Sequence, residues 1–573
     1  MLSKLKDFKL LIVILILGVI IRFYGITVNP PSLFGDEVDL GYQAYSILKT
    51  GNDYYGNTLP LNFHSLAEWR TPVYLYSAVP TVSLFGISPL GIRLPALIFG
   101  VLGILAMYLF SKELFKNQKI ALFTAFVMSI SPWHVQYSRA GFEVTEMLFF
   151  LIVGIYFFFK SLTNSKYLWL STLFILITPW IYSTAKIFAP IVILLILVIW
   201  FKEILLMRLN DKLKAVIVGL LVGIPFLYGM FFTGASQRFS YISVFSDPTT
   251  EPEIGFSRTV DARARGESGV GLTPTIIDRV VHNKFVFWGE RILKNYYQSF
   301  STEFLFIKGD PNPRHSIGLG EMHRIEIIAL LLGVVFLFSS KNINIKNKLF
   351  IFALLLLAPL PSALTRDGGN HATRNILMLP SMVVLVSVGW YSISTLPKRL
   401  SVASYVLVAF AYFVSLFFFS HEYLVHYAMA SERWWHYGWG QSISEIKKID
   451  SGYDRVIISM SGEPAWIFFA GYYQYNPSEW QQNFPIGNDI EVEGFGKVSH
   501  IGKFSFGSPL PDVQIYGLNR YINDKTLYLA NAKEVGENLI LHPEKSPNGL
   551  KLIKSIAFPS GEPAFYLFSG TKN

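Results

Sequence analysis

Long apolar runs separated by short polar segments dominate the first 420 residues of the chain. A helix that crosses a bilayer needs about 20 apolar residues, and fewer where flanking side chains reach the interface. The pattern predicts eleven membrane-spanning helices. They lie near 10–27, 90–110, 120–132, 144–160, 167–181, 187–201, 215–232, 324–339, 349–363, 376–394 and 401–419.

Two larger polar regions interrupt or follow these runs. The outer loops at 28–89 and 233–322 are expected to carry helices next to the membrane, within a membrane domain at 1–419. Residues 420–573 contain the strand-like runs RVIISM, TLYLA and AFYLF after the helical pattern QSISEIKKI. The predicted fold class is therefore a polytopic α-helical membrane protein with a small C-terminal α/β domain outside the membrane.

Charge in the short loops predicts the orientation. The loops on the side of the N-terminus contain seventeen Lys or Arg and four Asp or Glu, whereas 28–70 contains five acids and two bases. Basic loops stay in the cytoplasm. The N-terminus is thus expected to be cytoplasmic and, after eleven spans, the C-terminal domain extracytoplasmic. We expect a multi-pass protein of the plasma (inner) membrane.

Composition agrees with a membrane protein. Hydrophobic residues make up 52% of the chain and charged residues only 15%, whereas soluble domains average about 25% charged. The net charge of +10 comes from bases in short loops and so does not indicate a nucleic-acid partner. Cysteine is absent, so disulfides and thiolate metal sites are excluded.

The first outer loop opens with FGDEVDLGYQAYSILKTG, which places Asp36, Glu37 and Asp39 just beyond an apolar run. The stretch predicts a helix to about Lys49 that lies on the membrane surface, with Gly51 as its stop signal. Acids in a first turn complement the helix dipole. A dipole effect alone leaves the adjacent Asp-Glu pair unexplained, which favours a functional role; Asp39 is expected on the solvated side of the helix.

Three other polar segments fall on the same predicted side. Arg70 in WRTP either faces a lipid headgroup or binds a specific phosphate in a bidentate fork. Arg139 and Glu143, four residues apart, either form a local salt bridge or contribute to a site. RDGGNHATR between two apolar runs reads either as a glycine turn or as a polar site containing His371 and Arg374.

The order of these motifs resembles the GT-C superfamily of membrane glycosyltransferases. It is most similar to the protein O-mannosyltransferases and the lipid A aminoarabinose transferases, with RTP in place of a Lys-Pro-Pro-like motif. The resemblance covers roughly residues 1–380. It rests on FGDE, WRTP, SPWHVQYSRAGFE at 131–143, FLFIKGDPNPRHSIGLGE at 304–321 and ALTRDGGNHATRNILMLP at 363–380.

The resemblance implies an inverting glycosyltransferase that moves a sugar from a polyprenyl-phosphate-linked donor to an acceptor hydroxyl at the outer membrane face. The acceptor is a glycan, a lipid or a protein, and membrane lipids are the other partners. By this resemblance Asp36 is the general base, assisted by Glu37 and Glu143. The expected phosphate ligands are Arg70, Arg139, Arg314, His315, His371 and Arg374.

Acceptor or sugar contacts are expected from Glu68, Trp69 and Tyr42. A site without a metal is preferred; the alternative is a divalent cation bound by Asp36, Glu37 and Glu143. Other functions stay open: a ligase or polymerase using a polyprenyl-diphosphate oligosaccharide, a lipid-sugar flippase or transporter, or a glycan-binding receptor. A transporter commonly has inverted repeats, and none is detectable in the chain.

Overall fold

The structure is a computed structural model that describes most of the chain in two compact units. The first unit comprises Met1–Gly18, Gly100–Gln136 and Val144–Leu416, and the second Val19–Phe99, Tyr137–Glu143 and Phe417–Asn573. The first outer loop thus belongs with the C-terminal region, while the domain limits 1–419 and 420–573 stay predictions. The described residues are 2–65, 69–232, 241–269, 271–460, 464–483, 498–507 and 515–571.

The first unit is helical. Four helices cross the unit limits: Leu2–Phe23, Pro89–Phe115, Pro132–Ser138 and Lys398–His421. The helices wholly within the first unit are Gln118–Ile130, Val144–Ser161, Leu168–Ile177, Ala185–Leu206, Leu209–Phe232, Thr250–Ala264, Ile276–Val281, Lys284–Gln298, Glu326–Ser339, Ile345–Leu357, Leu360–Ala363, Ala372–Asn375 and Leu379–Ser392.

The helical membrane architecture is confirmed, because each predicted apolar run coincides with a helix. Within the described ranges, seven helical segments are long and apolar enough to cross a membrane. They are Pro89–Phe115, Val144–Ser161, Ala185–Leu206, Leu209–Phe232, Ile345–Ala363, Ala372–Thr395 and Lys398–Ser431. Several other runs form shorter apolar helices, and Val73–Phe85 is one that the sequence pattern did not count. The number eleven therefore stays a prediction.

Glycine allows two of these helices to touch backbone to backbone. A Cβ added at Gly333 in Glu326–Ser339 would lie 1.9 Å from the carbonyl oxygen of Leu385 in Leu379–Ser392. A Cβ at Gly389 would lie equally close to the carbonyl oxygen of Ala329. Small residues are the usual means of close helix packing in membranes, where no hydrophobic effect drives helices together. The two glycines therefore allow these two helices of the first unit to pack in direct backbone contact.

The second unit combines helices with a mixed sheet. Its helices are Gly35–Thr50, Val73–Phe85, Tyr427–Ser431, Trp439–Ile449, Ala465–Tyr473 and Pro477–Gln482. Its strands are β1 (Phe63–His64), β2 (Trp69–Arg70), β3 (Arg455–Ile458), β4 (His500–Ile501), β5 (Phe504–Phe506), β6 (Thr526–Asn531), β7 (Leu550–Ala557) and β8 (Pro563–Gly570). The predicted C-terminal strands and the helix before them are thus present.

The large sheet has the strand order β4-β5-β3-β6-β8-β7. β3 runs parallel to β5 and β6, while the other pairs are antiparallel. β3 reads RVII and its last three residues are buried, as expected for a central strand covered on both faces. β1 and β2 form a separate antiparallel pair that places Arg70 opposite Phe63.

The helix Gly35–Thr50 ends as its sequence predicts. Gly51 has φ +74 and its N–H donates to the carbonyl of Ile47. The predicted position on a membrane surface is wrong, because Val38 and Tyr42 are fully buried by protein. The helix packs on Ala465–Tyr473, where a Cβ at Gly471 would lie 2.4 Å from Val38 Cγ1.

Candidate functional site

Asp36 is an exposed acid at the start of the first outer loop. It lies in the first turn of Gly35–Thr50, and its side chain is 51% exposed. Its Oδ1 lies 2.7 Å from Nη2 of Arg70, whose Nη1 also donates to the Asp36 carbonyl at 3.3 Å. The Arg70 side chain is only 8% exposed, because β2 holds it against the helix. An accessible carboxylate beside a fixed guanidinium suits proton transfer close to an anion.

Glu37 is buried in a different set of contacts. Its Oε1 accepts hydrogen bonds from Arg93 Nε at 2.8 Å and from the Gly141 N–H at 2.7 Å, and its Oε2 accepts from Arg93 Nη2 at 3.0 Å. Both side chains of this bidentate pair have no exposed surface. Arg93 also donates to the carbonyls of Ile26 and Pro30. These contacts hold the loop together. They give no support to the prediction that Glu37 assists Asp36.

Asp39 is fully buried, so its predicted solvated position is wrong. Its Oδ1 accepts from the Tyr54 hydroxyl at 2.7 Å and its Oδ2 from the Ser65 hydroxyl at 2.6 Å. Arg70 Nε lies 3.6 Å from Oδ2. Burial raises the pKa of the Asp39 carboxyl above its ordinary value of 3.8, and Arg70 and the two hydroxyls oppose that rise.

Arg139 donates hydrogen bonds to backbone carbonyls at the end of the first helix and in the loop after it. Its Nη1 donates to the carbonyls of Ile21 and Tyr24 at 2.8 and 2.7 Å, and its Nη2 donates to the Asn29 carbonyl at 2.9 Å. Its Nε donates to the Tyr423 hydroxyl at 3.1 Å, and the guanidinium lies over that ring. The side chain is 1% exposed. These contacts give no support to the predicted phosphate contact of Arg139.

The predicted acceptor residues are Glu68, Trp69 and Tyr42. Glu68 lies outside the described residues. Trp69 is half-buried with its ring 5.0 Å from that of His64. Tyr42 has no exposed surface and donates to the Tyr475 carbonyl, so a sugar has no access to its ring. The prediction of Tyr42 as a sugar contact is therefore not supported.

The alternative metal ligands Asp36, Glu37 and Glu143 do not form a three-ligand cluster in the described residues. Glu143 is half-buried, and the Glu37 carboxylate is already balanced by Arg93. A divalent cation beside Glu37 would meet the positive charge of that guanidinium. This set therefore does not fit a metal.

The first unit contains a second polar group around Asp310. The Asp310 N–H donates to Glu321 Oε1 at 3.0 Å, and Asp310 Oδ2 accepts from His315 Nδ1 at 2.9 Å. The rings of His315 and His371 lie 4.8 Å apart at 32°. The sequence prediction named both histidines but missed Asp310 and Glu321. The sequence signal for Asp310 and Glu321 was that both lie in one polar segment, 304–321, just before an apolar run.

Glu321 is almost fully buried in this group. Burial raises the pKa of its carboxyl well above the ordinary value, and the nearby negative charge of Asp310 raises it further. The hydrogen bond from the Asp310 N–H acts in the opposite direction. The carboxyl groups of Asp310 and Glu321 therefore both lie where water has little access.

The two predicted arginines of the first unit have different contacts. Arg374 Nη1 donates to Thr365 Oγ1 at 2.7 Å and forms an ion pair with Asp367, whose side chain is 66% exposed. The backbone carbonyl of Arg314 accepts from Gln136 Nε2 at 2.8 Å. Arg374 follows His371 by one short helical turn, Ala372–Asn375. The structure thus brings His315 and His371 together, and the Arg374 side chain is held by Thr365 and Asp367.

Residues 70–228 match the family described as dolichyl-phosphate-mannose-protein mannosyltransferase. The expected resemblance to GT-C glycosyltransferases is confirmed over this segment. A curated relative, dolichyl-phosphooligosaccharide-protein glycotransferase 2 of Pyrococcus horikoshii, is 35% identical over 96 residues. That match covers 16% of this chain and only 12% of the relative.

Solved structures of similar architecture are also glycosyltransferases. The archaeal oligosaccharyltransferase AglB from Archaeoglobus fulgidus, in complex with an inhibitory peptide and a dolichol-phosphate, is 15% identical with a TM-score of 0.47. That likeness covers 82% of this chain and 64% of AglB. ArnT from Cupriavidus metallidurans bound to undecaprenyl phosphate is 11% identical, with 97% of each chain covered and a TM-score of 0.42. These scores are too low to add to the argument for the site.

Proposed function

We propose that the chain is an inverting glycosyltransferase that moves a sugar from a polyprenyl-phosphate-linked donor to an acceptor hydroxyl at the outer face of the membrane. One observation carries the proposal. Of the three acids in the first turn of Gly35–Thr50 and just beyond it, Glu37 and Asp39 are fully buried in fixed contacts, whereas Asp36 is half-exposed beside Arg70. The match of residues 70–228 to a mannosyltransferase family gives the reaction class.

In this proposal Asp36 acts as the general base. Its carboxylate accepts the proton of the acceptor hydroxyl as the oxygen attacks the anomeric carbon, and the carbon–phosphate oxygen bond breaks on the opposite face. The electron pair of that bond leaves with the lipid phosphate. Attack opposite the leaving group inverts the anomeric centre. Asp36 acts in its ionised form, and Arg70 at 2.7 Å is the cation that pairs with its carboxylate.

Arg70, which lies in the second unit together with Asp36, is the proposed ligand of the donor phosphate. A guanidinium binds phosphate through two parallel N–H donors. When donor phosphate binds, Arg70 Nη2 exchanges Asp36 for a phosphate oxygen and thereby releases the carboxylate to accept a proton. The contact of Arg70 Nε with Asp39, at 3.6 Å, keeps the side chain in place during the exchange. Arg314, His315, His371 and Arg374 stay predictions as phosphate ligands.

A second candidate uses a polyprenyl-diphosphate oligosaccharide as donor. The 35% identity over 96 residues to a dolichyl-phosphooligosaccharide-protein glycotransferase favours it specifically. Both candidates place a carboxylate and a cation at the reacting sugar, and they differ in the charge and size of the leaving group.

Defined donors test both proposals. Purified protein in lipid nanodiscs is incubated with a monosaccharide polyprenyl-phosphate, an oligosaccharide polyprenyl-diphosphate, and a panel of glycan, lipid and peptide acceptors. Mass spectrometry of the products is expected to show transfer from the monophosphate with inversion at the anomeric carbon. Transfer from the diphosphate alone supports the second candidate. Movement of intact donor across the bilayer of sealed proteoliposomes, without product from either donor, contradicts both and indicates a flippase.

A further inference from the structure

Three potential metal ligands meet in the first unit, on two separate polar segments. Asp310 and His315 come from the segment before Glu326–Ser339, and His371 comes from the segment before Leu379–Ser392. One ligand atom from each side chain lies within 4.8 Å of the other two. Asp310 Oδ2 and His315 Nδ1 are 2.9 Å apart.

This spacing is close to that of a zinc site. Zinc holds imidazole nitrogen and carboxylate oxygen at about 2.0–2.2 Å in a tetrahedron, so neighbouring ligand atoms lie roughly 3.3 Å apart. The widest separation in the cluster, at most 4.8 Å, needs to close by only about 1.5 Å to reach that value. Both histidines are half-buried, so their side chains are not packed on every side.

The ligand types select the metal. Two imidazoles with one carboxylate suit zinc and neighbouring transition metals, whereas calcium and magnesium prefer oxygen alone. The chain contains no cysteine, so no thiolate site within it competes for the same ion. Asp310, His315 and His371 are the one such three-residue group among the described residues.

The backbone prearranges the carboxylate. The N–H of Asn312 donates to Asp310 Oδ1 and the N–H of Ala372 donates to Oδ2, both at 2.8 Å. Gly309 has φ +75, and a Cβ there would lie 2.4 Å from the Leu319 carbonyl oxygen, so the loop is tightly closed behind Asp310. Supporting hydrogen bonds of this kind orient metal ligands.

A second carboxyl group supports the Asp310 backbone. Asp310 and Glu321 are 7% and 2% exposed, and the Asp310 N–H donates to Glu321 Oε1 at 3.0 Å. Together with the hydrogen bonds from Asn312 and Ala372, this contact helps to position Asp310.

We infer that Asp310, His315 and His371 bind one zinc ion. On binding, His315 exchanges its hydrogen bond to Asp310 for a bond to the metal and carries its proton on Nε2, as the neutral tautomer. Three protein ligands leave the fourth position to water. The ion joins the loop 309–321 to the segment 367–375. The two histidines then bind a metal and do not act as ligands of the donor phosphate, which was their predicted role. The zinc site does not depend on the proposed sugar transfer.

Direct metal binding tests the inference without donor or acceptor. The full chain is purified in detergent, stripped with a chelator and titrated with zinc against a chromophoric competitor, and in parallel with cobalt. We expect one zinc per chain and visible cobalt bands typical of a four-coordinate site. His315→Gln and His371→Gln should each weaken zinc binding by roughly 100-fold or more, at unchanged elution volume.

A matched histidine pair gives the control. The rings of His421 and His426 lie 4.9 Å apart, almost the spacing of the proposed pair, but among the described residues they belong to no three-ligand group. His421→Gln should therefore leave zinc affinity unchanged. Wild-type protein that binds no stoichiometric zinc overturns the inference, even if the variants fail to fold. Equal affinity in wild type and both cluster variants overturns it as well. Failure of sugar transfer with intact zinc binding contradicts only the proposed function.

Discussion

Asp36, Glu37 and Asp39 lie within one helical turn of each other, yet they have three different environments. Asp36 is half-exposed beside Arg70, Glu37 is buried against Arg93, and Asp39 is buried against two hydroxyl groups. Successive residues of a helix point about 100° apart, so adjacent acids meet different neighbours. The chemistry of one position therefore cannot be transferred to the next.

The Glu37–Arg93 pair makes the strongest stability prediction at this scale. Arg93→Met leaves the Glu37 carboxylate buried without its ionic partner, which costs about 3–5 kcal/mol. We expect a clearly lower unfolding midpoint in detergent, measured by tryptophan fluorescence. Lys116→Met is the matched control, because Lys116 pairs with Glu113 at the surface and such pairs contribute at most about 1 kcal/mol. Equal midpoints for the two variants would contradict the structural role of the buried pair.

Asp39 makes a prediction about pH. Its carboxyl has a raised pKa in the folded chain, so between pH 3.8 and that raised value the folded state binds more protons than the unfolded state. The contribution of Asp39 to stability is therefore greatest at low pH and falls as pH rises through this window. Unfolding midpoints from pH 4 to 7 are compared between wild type and Asp39→Asn, which cannot titrate.

We expect wild type to lose stability relative to Asp39→Asn as the pH rises, because only wild type releases this proton. The difference between the two proteins cancels the titration of all other groups. A difference that stays constant, or that grows in favour of wild type with rising pH, would show that the Asp39 pKa is not raised.

At the scale of elements, the contact between Glu326–Ser339 and Leu379–Ser392 depends on glycine. Gly333→Ala and Gly389→Ala each place a methyl group against a backbone carbonyl at 1.9 Å, so the helices must separate. Overpacking of this kind costs about 1–3 kcal/mol. We expect both variants to show a lower unfolding midpoint and more aggregate on size-exclusion chromatography.

Gly223→Ala provides the control for this contact. Gly223 also lies within an apolar helix, Leu209–Phe232, and a Cβ there meets nothing within 4 Å. Alanine favours a helix more than glycine does, so this variant should be neutral or slightly stabilised. Destabilisation of all three variants by the same amount would show that the close helix contact is not the cause.

Local signals explain what was predictable from sequence. The helix Gly35–Thr50, its end at Gly51 and the strand β3 follow from nearby residues, so their patterns predicted them. Asp39 was misplaced because Tyr54 and Ser65, which bury its carboxylate, come from a loop that has no periodic pattern. Asp310 was missed because its partner His371 lies on a distant segment. The polar segment 304–321 marked a candidate region, but the contact that singles out Asp310 within it is tertiary and has no local pattern.

At the scale of the whole molecule, the absence of cysteine makes the predicted orientation directly testable. Thr163→Cys lies in a predicted cytoplasmic loop and Glu544→Cys in the C-terminal region, and both positions are exposed. In intact cells a membrane-impermeant maleimide should label Glu544→Cys and leave Thr163→Cys unlabelled until the membrane is opened. The reverse pattern would place the C-terminal region in the cytoplasm and contradict the orientation inferred from loop charge.

Asp36 is the proposed base for sugar transfer, and its substitution by asparagine removes that base while keeping the size of the side chain. Transfer from the monosaccharide polyprenyl-phosphate is measured for wild type, Asp36→Asn and Asp261→Asn, the last being another exposed acid, paired with His282. Loss of a general base typically costs a factor of about 10²–10⁴ in rate. We expect that loss for Asp36→Asn alone, with an unfolding midpoint equal to that of wild type. Sugar transfer at the wild-type rate by folded Asp36→Asn would show that Asp36 is not the base.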